Sequence, residues 1–141
     1  MKKILLLFVA VIILTGCGKL SDLPENPAKY TIGTVMSKDK KTSYTAIVYD
    51  GKYFIAYGNV KPGFLGDLSY AYGECLGYVG GDENNRIYEL KGSSKDEWII
   101  EYYVNGEMEQ PMVFREVNVK DGNDPSSVEA IKDDNYFNQK K

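Results

Sequence analysis

The stretch YTAIVYDGKYFIAYG, residues 44–58, constrains the fold more than any other part of the chain. β-Branched and aromatic residues fill both arms, and the central pair Asp50-Gly51 tolerates the positive φ angles of a type I′ turn. That turn predicts strands over 44–49 and 52–57, with Ile47 opposite Phe54 on one face and Val48 opposite Tyr53 on the other. Both faces are apolar or aromatic, so the hairpin is central in a sheet or covered on both sides.

The same texture continues from about residue 30 to 119, where aromatic and β-branched residues are broken by glycine pairs and Asn-Gly or Asp-Gly steps. It predicts a mainly β fold: one small antiparallel domain, either a sandwich or a partly open barrel. A second hairpin spans 96–117. A two-residue Asn105-Gly106 turn there would put Glu107 and Glu109 on the face of Ile100 and Tyr102. A three-residue loop, Val104 to Gly106, instead aligns Trp98, Ile100 and Tyr102 with Met108, Met112 and Phe114, and leaves Glu101, Glu107 and Glu109 together on the other face. The charge pattern favours the three-residue loop and a buried Trp98. Pro111 cannot donate to a ladder, which makes the return strand an edge or a bulged one. A third hairpin joins ECLGYVGG to RIYELKG through a longer loop, Gly80 to Asn85. Beyond Asp124-Pro125, Ser126 and Glu129 have capping-box spacing, which predicts a short helix over 127–134 within a C-terminal segment 120–141 that ends in a frayed tail.

The chain begins with Lys2 and Lys3, then an apolar run from Ile4 to Leu14, then Thr15, Gly16 and Cys17. A basic start, a short apolar core and small residues before a processing point form an export signal. As a helix the run would extend about 17 Å, too short for the roughly 30 Å hydrocarbon core. Leu14-Thr15-Gly16-Cys17 is similar to the lipobox of bacterial lipoprotein precursors. That resemblance implies that diacylglycerol is attached to the Cys17 thiol, that residues 1–16 are removed, and that Cys17 begins the mature chain at the extracytoplasmic face of the cell membrane. Two acyl chains hold a protein where one binds reversibly. Residues 17–29, with Pro24 and Pro27 and no periodicity, read as the lipidated terminus and a flexible tether. The segment from Leu76 to Tyr103 resembles small exported lipoproteins of Gram-positive bacteria that have no assigned activity.

Charge and residue types exclude several chemistries. The chain has 17 basic and 20 acidic residues; loss of Lys2 and Lys3 leaves 15 against 20, a net charge of −5. Such a body is not drawn to nucleic acid or to anionic headgroups by its field, so attachment comes from the lipid. With no histidine, Ser-His-Asp and Cys-His machinery and the usual zinc sites are absent. Ser37 and Lys40 have S-x-x-K spacing but lack the accompanying motifs of serine acyl enzymes. Asp82 to Asn85 offer oxygen ligands without the EF-hand spacing and read as a solvated loop. Cys75, left without an intrachain partner by a lipidated Cys17, reads as a small buried hydrophobe.

These features predict no cofactor, no metal and no enzymatic activity. They favour a noncatalytic binding module, with a structural envelope lipoprotein or a histidine-free hydrolase as alternatives. The candidate ligand site combines a tyrosine face (Tyr44, Tyr53, Tyr57) with an acidic patch (Glu101, Glu107, Glu109) suited to a cationic peptide or basic protein partner.

Overall fold

The computed structural model describes residues 20–105, 111–132 and 136–138. Strands β1 (Ala28–Met36), β2 (Ser43–Tyr49), β3 (Lys52–Val60), β4 (Tyr72–Val79), β5 (Asp82–Leu90), β6 (Trp98–Tyr103) and β7 (Met112–Glu116) close into a seven-stranded barrel, in the order β1-β4-β5-β6-β7-β3-β2 and back to β1. The alternatives of a sandwich or a partly open barrel thus resolve into a closed barrel. Closure leaves these strands without a free edge.

The Asp50-Gly51 hairpin forms as expected. Both residues have positive φ, 49° and 71°, and Ile47 faces Phe54 while Val48 faces Tyr53. Each barrel strand contributes one buried residue to an inner cluster: Tyr30, Ile47, Phe54, Val79, Ile87, Ile99 and Phe114. A second cluster, built around Tyr57, Tyr88, Trp98 and Ile100, lies on the outer wall, covered by Leu20, Leu23, Leu68, Val119 and Phe137 from the connecting segments. Trp98 is buried there, as the sequence predicts.

One seam departs from antiparallel pairing. β1 runs parallel to β4, with Ala28 opposite Gly77 and Tyr30 opposite Val79. The backbones approach so closely that a Cβ on residue 77 would overlap the Ala28 main chain, so glycine is what permits this seam.

Five expectations are corrected. In the β6–β7 hairpin Trp98 faces Arg115, Ile99 faces Phe114 and Ile100 faces Val113. Met112 and Phe114 therefore share a face with Ile99, not with Trp98 and Ile100. All three of Trp98, Ile99 and Ile100 are buried, so alternation could not select the register. Gly106 and Met108 lie outside the described residues. β7 is an interior strand paired to β6 and β3, and Pro111 precedes it; the irregularity falls in β3, between Ala56 and Gly58. The third hairpin turns on Gly80-Gly81 alone, φ 68° and 76°, with Val79 opposite Asp82, because two glycines suffice for a type I′ turn.

The C-terminal correction has a longer-range cause. Val128–Ala130, expected as helix, form strand β8 on Gly58–Val60 of β3. β2 pairs with β3 only as far as Ile55, leaving β3 groups open that β8 satisfies; Ile131 N donates to Tyr57 O and Lys61 N to Ser127 O. A short 3-10 turn, Tyr136–Asn138, follows, while 133–135 lie outside the described residues. At the other end, residues 20–27 are seated on the barrel where a tether was expected. The Ser21 hydroxyl accepts from Cys75 N at 2.7 Å, the Tyr88 hydroxyl donates to Ser21 O at 3.1 Å, and Asp22 lies 3.8 Å from Arg86.

Candidate functional site

Where β2 turns into β3, the barrel opens in a cleft of about 230 Å³. Its floor is Ala28, Tyr30, Phe54 and Leu76, and Tyr49 forms a wall. The Tyr49 ring packs on Tyr30 at 4.6 Å between centroids, tilted by 32°. Burial, and secondarily the neighbouring Tyr49 phenol, push the Tyr30 hydroxyl far above its ordinary range, so it stays neutral and able to donate. The rim is charged in both signs: Asp50, Lys52, Lys95 and Asp96, with the Lys52 ammonium 3.5 Å from Asp96. The cleft thus combines apolar and aromatic surface with flanking groups of both charges.

On the outer wall, Arg115 is 2% exposed. Its Nη2 donates to Val119 O and, at 3.0 Å, to Asp121. The guanidinium lies over the rings of Phe137 (4.5 Å), Tyr57 (5.4 Å) and Trp98 (5.8 Å). The Tyr57 hydroxyl donates to Asp124. Burial, then that bond and the Asp124 charge, push the Tyr57 phenol up to about 12. These contacts rivet the C-terminal segment to the barrel. The sequence signal was present in MVFREV, a lone arginine amid apolar residues with Asp121 and Asp124 downstream.

Among the described residues, the tyrosines and Glu101 of the expected site are not brought together. Tyr57 is buried beneath Phe137, Tyr44 meets Tyr136 edge-on at 5.6 Å, and Tyr53 is 39% exposed. Glu101 pairs with Ile87 and Met112, on the inner-cluster side of the sheet, opposite to the outer face of Tyr53. It accepts from Asn85 Nδ2 at 2.9 Å. Glu107 and Glu109 lie outside the described residues.

Other candidates are absorbed locally. The buried Ser37 hydroxyl donates to Asp39 and accepts from the amides of Lys41 and Thr42, so it closes the β1–β2 loop. Asp82 accepts from Asn84 N, and the Asn84 side chain from Asn105. Cys75 is buried, and burial raises its thiol, which favours the protonated form. Among the described residues no cluster of three His, Cys, Asp or Glu side chains is placed to hold a metal ion.

Residues 1–17 match the family model described as prokaryotic membrane lipoprotein lipid attachment site. The chain is a bacterial lipoprotein precursor, anchored to a membrane through Cys17. No curated protein and no solved structure matched it.

Proposed function

We propose that this lipoprotein is a noncatalytic binding module on the extracytoplasmic face of the membrane and takes its ligand at the mouth of the barrel. The cleft carries this reading. At about 230 Å³ it is smaller than the ~300–1,000 Å³ of pockets that bury drug-sized ligands, and it suits a single side chain or terminus. An aromatic or apolar peptide side chain would rest on Tyr30 and Phe54, its flanking charges meeting Lys95 and Asp96. The net charge of −5 left after removal of the leader speeds the approach of a cationic peptide or basic partner protein. Absence of histidine and the engagement of Ser37 in its loop support a role without catalysis.

The test is nuclear magnetic resonance of the lipidated protein in micelles, titrated with short cationic peptides that carry an aromatic residue. Chemical-shift changes are expected at Tyr49, Lys52 and Lys95, weakened in Tyr49→Ala and Lys95→Ala. Shifts confined to other walls would move the ligand site away from the cleft, and no shifts would replace this reading with a structural envelope lipoprotein that has no specific ligand.

A further inference from the structure

The connection from β3 to β4 carries the two most exposed large apolar side chains among the described residues, Phe64 at 87% and Leu65 at 91%. They stand at the tip of a tightly built loop. Gly63 N donates to Asp67 O at 2.7 Å, Gly66 N to Gly63 O and Asp67 N to Phe64 O. Asp67 accepts from Ser69 N, and the Tyr70 hydroxyl closes the base on Lys61 O at 2.8 Å. Leu65 has φ 54° and ψ 28°, a left-handed conformation that leucine seldom adopts. A loop that holds leucine in this conformation and turns it outward is shaped for contact, since solvation alone gains nothing from it.

The lipid anchor indicates what it touches. Leu20, the first described residue, lines the same shallow depression as Ser69 and Tyr72, and Leu20 and Leu68 pack against one cluster. Cys17 precedes Leu20 by three residues, at most about 11 Å of extended chain. The anchor thus lies within about 11 Å of Leu20, and Leu68, three residues beyond Leu65, packs on the same cluster as Leu20. A convex tip of two side chains is far smaller than the roughly 800 Å² per partner of a stable protein interface. It matches the depth of the headgroup and acyl boundary, with the half-exposed ring of Tyr70 at the level where tyrosine favours the interface. We propose that Phe64 and Leu65 insert into the bilayer that holds the Cys17 lipid, giving the barrel a second contact that fixes its orientation on the membrane. This rests on the anchor at Cys17 and is independent of the cleft.

The test places a nitroxide label at Leu65→Cys in the full lipidated protein, reconstituted in phosphatidylglycerol and phosphatidylethanolamine vesicles, with Thr31→Cys as the reference on the other side of the barrel. Accessibility to oxygen relative to a water-soluble nickel chelate should rise at residue 65 and not at 31. The rise should persist at high salt, because the contact is apolar. Phe64→Asp in the Leu65→Cys background should return the label to water. A residue-65 label that stays aqueous in vesicles overturns the proposal. A label shielded from both reagents also overturns it and points to a protein partner or a second copy of the chain.

Discussion

Arg115 shows how one residue can tie two parts of the chain together. Its charge is buried on one side only: the guanidinium lies under three rings, whereas its partner Asp121 is 83% exposed. Stacking and the bond to Val119 O therefore outweigh the ion pair, since an exposed carboxylate is well screened. Arg115→Lys loses the planar stack and should cost about 2 kcal/mol, whereas Asp121→Asn should cost less than about 1 kcal/mol. Urea midpoints of the two variants check the order. Equal losses would mean that the ion pair dominates. The partners of Asp121 and Asp124 are not legible in the local sequence, because Arg115 and Tyr57 belong to strands β7 and β3.

Among the elements, the β1–β4 seam is the least forgiving. Closing the ring depends on three residue pairs, and Gly77 sits where any side chain meets the Ala28 backbone. Backbone cannot rotate aside as a side chain can, so Gly77→Ala should destabilise by about 3 kcal/mol or more. Hydrogen exchange at Lys29, Tyr30 and Val79 should accelerate before exchange at Ile99. The contrast with the Asp50-Gly51 hairpin explains what was legible. That turn is local chemistry, so its type and register follow from two residues. The β6–β7 register depended on a face alternation that burial of Trp98, Ile99 and Ile100 erases. β8 depended on a gap left by β2 far away in sequence. The lipid site was legible because it is a contiguous motif. The cleft was not, because its lining comes from separate segments and Lys52, Lys95 and Asp96 look like ordinary surface charges until the barrel closes.

At the scale of the whole molecule, the twelve tyrosines and the absence of histidine together set the response to pH. No histidine titrates near neutrality, so stability should be level from about pH 6 to pH 8, above which the Cys75 thiol, raised by burial and therefore ionised first in the unfolded chain, begins to lower it. At higher pH the buried phenols take over. Burial raises Tyr30 and Tyr72 far above 10.0, and burial with the Asp124 bond raises Tyr57 to about 12. In the unfolded chain each ionises near 10.0, so the unfolded state sheds protons first and gains on the native one as pH rises. Stability present below pH 10 is thus lost through the window up to each folded value. Every such phenol costs about 1.4 kcal/mol per pH unit, and these three act together with Tyr88, which burial also raises, against a total stability of roughly 5–15 kcal/mol. Alkaline unfolding should therefore be cooperative between about pH 10 and 12, with the tyrosinate absorbance of the buried rings appearing in the same step in which the Trp98 near-ultraviolet signal is lost. Ionisation of all twelve tyrosines with the Trp98 signal intact would show that the buried rings are open to solvent. Tyr57→Phe, which removes one raised phenol together with its Asp124 bond, should lower stability at neutral pH yet make its decline above pH 10 less steep.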